Sequence, residues 1–195
     1  EGGATKEIIQ VGTDLIVSAG IGGLYKSLDN GNSWAPSNVG LPNNPFVFAL
    51  IKSGETLYAS VGESIYKSID GGDSWSDLPM GNYASTFYSI FVDGDYIFAA
   101  NANGGATYSS DGGQSWMFAG GNLANTQIQD FEILDSIVYA TGGSFSGAGP
   151  TFFQSENFGF TWQPIEVNNV GTGAFSNFQG NSRLTINTRK TLRIG

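Results

Sequence analysis

The sequence predicts an all-β chain, a β-propeller of four-stranded antiparallel blades, and three observations predict it. An octet recurs four times: "SLDNGNSW" at 27–34, "SIDGGDSW" at 68–75, "SSDGGQSW" at 109–116 and "SENFGFTW" at 155–162. Its leading serines, Ser27, Ser68, Ser109 and Ser155, are spaced by 41, 41 and 46 residues, and a period in the low forties is that of a propeller blade. Between octets, short runs of β-branched and aromatic residues are broken by Gly, Asp and Asn turns, with no amphipathic helix.

Each period holds four strand candidates. The first is apolar: residues 46–54, 87–95 and 128–136, with 7–14 serving the first repeat. The second follows a short turn, at 14–20, 56–62, 96–102 and 137–143. The third leads into the octet, as in "GLYKS" (23–27), "SIYKS" (64–68) and "TFFQS" (151–155), and the fourth starts at the octet tryptophan. Repeats of about 7–40, 41–81, 82–122 and 123–168 follow, within one propeller over 1–195. A partial fifth over 169–195 is read as strands at 173–181, 183–189 and 191–195. The next octet serine would fall near residue 195, so the expectation is an open ring or a piece of a longer protein.

Every residue type in the octet has a structural task. Asp29, Asp70 and Asp111, with Asn157 in the fourth octet, can accept hydrogen bonds from backbone N–H groups just after them. Gly31, Gly72, Gly113 and Gly159 stand two residues on, where a positive φ is expected. Trp34, Trp75, Trp116 and Trp162, all the tryptophans of the chain, are expected to bury their rings between neighbouring sheets.

The octets resemble Asp-boxes, or BNR repeats, found in β-propellers of sialidases, VPS10 receptors, some glycoside hydrolases and photosystem II assembly-factor-like proteins. The resemblance covers essentially the whole chain. It implies a propeller with the box in the turn between strands three and four, away from the usual binding face. The flanking phrases also resemble secreted bacterial repeat proteins, which implies an extracellular or cell-surface location with any signal peptide already removed.

Composition excludes several chemistries. The chain has no cysteine and no histidine, so thiolate chemistry and the usual neutral-pH base are absent. Residues 1–182 carry 17 acids against Lys6, Lys26, Lys52 and Lys67, a balance of −13. Residues 183–195 carry Arg183, Arg189, Lys190 and Arg193 with no acid, a balance of +4. An acidic body is a poor partner for nucleic acid phosphates, while the basic end suits a strand facing an acidic neighbour. No segment approaches the roughly 18–20 apolar residues of a membrane helix. No cofactor is expected and no metal: "DNGNS" and "DGGDS" lack the ligand series of a calcium loop, and the glycine runs lack a phosphate-loop Lys-Ser/Thr.

Enzymatic readings fare worse than binding ones. A sialidase is expected to hold its substrate carboxylate with three arginines, yet all three here lie within 183–193. A two-carboxylate glycosidase would use Asp130 and Glu132, which share one face of a first strand; Asp93, Asp95 and Asp135 read as turn residues. No catalytic residue is assigned. The favoured expectation is a non-enzymatic binding or structural module. Its partner is a protein or glycan at the loop face, or another chain at an open propeller edge. The alternatives are a carbohydrate-active enzyme with incomplete apparatus and a repeat segment of an adhesin or filament. Candidate binding residues on the loops joining strands four to one are Asn43, Asn44, Tyr83 and Asn122. Phe145 lies in the insertion between strands two and three, where adaptable polar and aromatic contacts belong.

Overall fold

In the computed structural model the chain is described over residues 7–119, 121–144, 152–165, 184–187 and 191–194. Four antiparallel four-stranded sheets follow one another, each built from consecutive strands. The first contains β1 (Glu7–Val11), β2 (Asp14–Ser18), β3 (Leu24–Ser27) and β4 (Ala35–Pro36). The second contains β5 (Val47–Ser53), β6 (Thr56–Val61), β7 (Ser64–Ser68) and β8 (Ser76–Leu78). The third contains β9 (Phe87–Asp93), β10 (Tyr96–Asn101), β11 (Ala106–Ser109) and β12 (Met117–Phe118). The fourth contains β13 (Thr126–Leu134), β14 (Ile137–Ser144), β15 (Phe152–Ser155) and β16 (Gln163–Pro164). The strands β17 (Leu184–Asn187) and β18 (Thr191–Ile194) pair with each other. The span 173–181, read as a strand, lies outside the described residues.

Tight turns set these hairpins. Gly54, Gly62 and Gly94 sit at φ near +60°, and a methyl group on any of them would have no atom within 4 Å. Conformation rather than space therefore selects glycine there. The fourth strand starts one residue after each tryptophan and is short, two or three residues. The tryptophan backbone is thus left to the turn while its ring packs beneath it.

Packing occurs between sheets rather than within one. Three clusters form, each seated between successive sheets. Ile16 and Leu24 meet Val47, Leu50, Leu57 and Trp75. Ile65 and Leu78 meet Phe87, Ile97 and Trp116. Phe98 and Tyr108 meet Phe131, Val138, Phe153 and Trp162. An aromatic ring of this kind hides about 150–250 Å², so each of these tryptophans contributes about 4–6 kcal/mol of burial. The middle sheets are apolar on both faces because each has a neighbour on both sides.

Trp34 departs from the expected burial. Trp75, Trp116 and Trp162 are 4%, 5% and 1% exposed, but Trp34 is 38% exposed and joins none of the clusters. The reason is positional: each buried tryptophan is covered by the sheet before its own, and among the described residues none precedes the first.

Candidate functional site

The octet turns are the conspicuous acidic feature, and their groups are consumed locally. In the second octet the Ser68 hydroxyl donates to Asp70 Oδ1 at 2.7 Å and accepts the Gly72 N–H at 2.8 Å. Asp70 Oδ1 accepts the Ser74 N–H at 2.9 Å, and its second oxygen accepts the Ser74 hydroxyl. The first and third octets repeat this around Asp29 and Asp111. In the fourth, Asn157 Oδ1 accepts the Thr161 N–H at 2.8 Å while its amide donates to Thr161 Oγ1 at 2.8 Å. The Ser74 hydroxyl and N–H, then the Ser68 hydroxyl, lower the Asp70 carboxyl to about 2. The equivalent bonds from Ser115 and Ser109 lower Asp111 to about 2, and those from Ser33 and Ser27 lower Asp29. These carboxylates stay ionised and saturated, which suits a turn brace and not a proton-transfer group.

The octet glycines reach the preceding sheet. Gly31, Gly72, Gly113 and Gly159 have φ of +88°, +87°, +88° and +90°, so an L side chain would be strained at each. A Cβ on Gly113 would lie 2.8 Å from Leu78, and one on Gly159 2.6 Å from Phe98; on Gly72 it would strike Ile16. Lys26 of β3 adds an ion pair across the first boundary, 2.7 Å from Asp73 and 3.3 Å from Asp14. Burial opposes the Lys26 charge, and the hydrogen bonds it donates to these two carboxylates, with their attraction, outweigh it and raise its pKa.

The loop residues expected to bind are divided between two roles. Asn43 and Asn44 are exposed, with Asn44 at φ +53°, a left-handed conformation that Asn tolerates. Tyr83 is half-buried, its ring edge-on to Phe118 at 4.8 Å. Asn122 donates to the Trp162 carbonyl at 3.1 Å. The loop after β4 acts in the same way, where the Val39 carbonyl accepts the Trp75 N–H at 2.8 Å and the Ser37 carbonyl accepts the Trp75 indole N–H at 2.9 Å. The first residues of these loops therefore fasten the next tryptophan. Phe145 lies outside the described residues.

A different row of side chains stands out on the first strands. In β5 the register steps from Val47 opposite Val61 to Ala49 opposite Ser60, leaving Phe48 as an extra residue. In β9, Phe87 and Ser89 face Asn101 and Ala100, leaving Tyr88. In β13, Ile128 and Asp130 face Gly142 and Thr141, leaving Gln129. The three bulges are equivalent, since Val47, Phe87 and Ile128 beside them are all buried. A bulge leaves one residue unpaired, bends the strand locally and re-aims that residue's side chain. Tyr88 is 57% exposed and Phe46, just before β5, 36%. The Phe46 and Phe48 rings are 4.5 Å apart and the Phe48 and Tyr88 rings 5.7 Å, all tilted. Three aromatic rings thus run across two adjoining sheets, with Gln129 at the matching place on the next. Sequence reasoning misses this row.

The acids of β13 are less suggestive. Asp130 and Glu132 are both half-buried, two residues apart on one strand, and Asp130 Oδ1 accepts the Phe131 N–H at 3.0 Å. Among the described residues no cluster of three or more His, Cys, Asp or Glu could hold a metal ion. No helix there is long and apolar enough to cross a membrane. Arg193 stands opposite Thr185 in the register of the β17–β18 pair.

No protein-family model matches the chain, and no curated protein aligns with it. Solved structures do. One is an ancestral GH74 enzyme, 22% identical with a TM-score of 0.64, covering 86% of this chain and 25% of that one. A second is YCF48 bound to D1 peptide, 16% identical with a TM-score of 0.60, covering 84% and 53%. A third is the extracellular domain of the one-component system BT4673 from B. thetaiotaomicron, 14% identical with a TM-score of 0.67, covering 98% and 26%. The chain spans between a quarter and about half the length of these proteins. With four successive four-stranded antiparallel sheets packed face to face and these neighbours, the fold is that of a β-propeller.

Proposed function

We propose that the chain is a non-enzymatic recognition module of an extracellular or cell-surface protein, binding a protein or glycan partner along the first-strand bulges. The observation that carries this reading is the equivalence of the three bulges, which set Phe48, Tyr88 and Gln129 in one row beside Phe46. Exposed aromatic rings offer large stacking area at low entropic cost. Exposed Asn43 and Asn44 come just before Phe46 in the chain. The octets serve as Asp-box fasteners and bind nothing. The likeness to YCF48 bound to D1 peptide and to the extracellular domain of BT4673 supports a binding role.

An enzymatic alternative rests on Asp130 and Glu132 and on the likeness to GH74 enzymes. It is the weaker reading, because a glycosidase needs two opposed carboxyls about 5–10 Å apart across a bound sugar, and these two sit on one strand.

The test uses the Phe48→Ala/Tyr88→Ala double variant, screened beside the unaltered chain on immobilised neutral polysaccharides and on an array of unstructured peptides. Binding by the unaltered chain that the double variant loses, with unchanged thermal unfolding, supports the reading. Binding that survives both substitutions, or hydrolysis of a polysaccharide that Glu132→Gln abolishes, overturns it.

A further inference from the structure

We propose that the aromatic row takes an arginine side chain from an extended segment of another protein, with Glu63 as the counter-charge. This rests on the reading of the row as a binding surface and names its occupant.

Glu63 is held beside the row by its own backbone. With Gly62 it makes the turn between β6 and β7. The Gly62 N–H donates to the Phe46 carbonyl at 3.2 Å, and the Glu63 carbonyl accepts the Ser85 N–H at 3.1 Å. The turn is thereby tied to Phe46 on one side. On the other it is tied to the chain entering β9, three residues before Tyr88. These bonds do not involve the Glu63 side chain, which is exposed. Among the described residues no cation pairs with it: Lys26 is taken by Asp14 and Asp73, and Lys52 by Glu55. The corresponding turns of the first and third sheets, at 19–23 and 102–105, carry no charged residue. An unpaired carboxylate therefore stands where the rings gather.

Charge and ring geometry select the occupant. A cationic side chain is drawn to an aromatic face within about 6 Å of its centroid, and it needs no common plane among several rings. The Phe46, Phe48 and Tyr88 rings are tilted by 42° and 58° to one another in sequence, so they form no flat platform on which successive sugars could stack. Residues 1–182 have a balance of −13, which draws a cationic segment in and repels an acidic one. Arginine fits better than lysine, because its planar group stacks on a ring and presents a fork of donors to a carboxylate.

The experiment is fluorescence anisotropy with a labelled Gly/Ser peptide carrying two arginines. It is run beside the same peptide with glutamine at both places and a labelled neutral β-glucan hexasaccharide. The expected result is binding of the arginine peptide, weakened at least about tenfold by glutamine and weakened by salt. Glu63→Gln should raise the Kd about threefold, and Glu63→Asp should raise it less. Glu156→Gln, which removes the same charge from the exposed turn of the fourth octet, should leave the Kd unchanged. Equal loss from Glu63→Gln and Glu156→Gln overturns the inference, because attraction to the acidic body as a whole then accounts for binding. Equal binding of the two peptides overturns it, as does no binding of the arginine peptide. Binding of the hexasaccharide alone, abolished by Phe48→Ala/Tyr88→Ala, also overturns it and leaves the row standing as a binding surface. Binding of the arginine peptide that survives that double variant overturns both.

Discussion

Gly159 lies so close beneath Phe98 that a methyl group on its Cα would sit 2.6 Å from the Phe98 ring. Octet four is thereby stacked on sheet three, and the same relation joins Gly113 to Leu78 and Gly72 to Ile16. Gly159→Ala must strain a left-handed backbone and displace a buried ring, so it costs about 2–4 kcal/mol. Gly31→Ala meets only the backbone strain, roughly 1 kcal/mol. Urea unfolding of the two variants should rank them in that order.

The octet carboxylates predict an acid transition. Asp70 and Asp111 titrate near 2 in the folded chain, against 3.8 without their hydrogen bonds. A lowered folded pKa gives stability that is full above the unfolded value and lost as pH falls through the folded one. Stability should therefore drop between about pH 4 and pH 2. Asp70→Asn should remove part of that dependence and keep the fold at neutral pH. The fourth octet already uses Asn157, with Thr161 turned from donor to acceptor. Asp70→Ala leaves turn amides unpaired and should cost about 1–2 kcal/mol at pH 7. Thermal unfolding across pH reads all three.

Tryptophans in the same motif should be unequal. Trp162→Ala, at 1% exposure, should cost about 3–5 kcal/mol. Trp34→Ala, at 38% exposure, should cost roughly 1 kcal/mol, because among the described residues no sheet covers its ring. Calorimetry of the two variants decides it; equal losses would contradict the sheet-by-sheet packing.

The octet serine should matter as much as the acid. The Ser155 hydroxyl accepts the buried Gly159 N–H at 2.8 Å and donates to Asn157 Oδ1 at 2.9 Å. Ser155→Ala strands a buried amide, which costs about 1–3 kcal/mol, whereas Ser155→Thr can keep both bonds. Hydrogen exchange at Gly159 should quicken in the alanine variant alone.

The octet and the strands are legible in the sequence because recurrence at blade spacing singles them out and turn chemistry depends on nearby residues. Asp70, Gly72 and Trp75 can be given tasks from spacing alone. The bulges at Phe48, Tyr88 and Gln129 are hidden for a physical reason. A sheet buried on both faces reads as a nearly continuous apolar run, as in "FVFALI", so one inserted residue leaves no break in alternation. Asn122 reads as a free loop amide because its partner, the Trp162 carbonyl, is 40 residues away in sequence. Trp34 reads like its three counterparts because its octet is the same; only its place in the stack differs.

The central claim is that the octets hold adjacent sheets together. The most direct test is a double-mutant cycle between Gly159→Ala and Phe98→Leu, read by urea unfolding. A smaller side chain at position 98 gives the added methyl room. The two substitutions should then cost at least about 1 kcal/mol less together than the sum of their separate effects. Additivity within about 0.5 kcal/mol would contradict the claim, because it would mean that Gly159 and Phe98 do not share the boundary between sheets three and four.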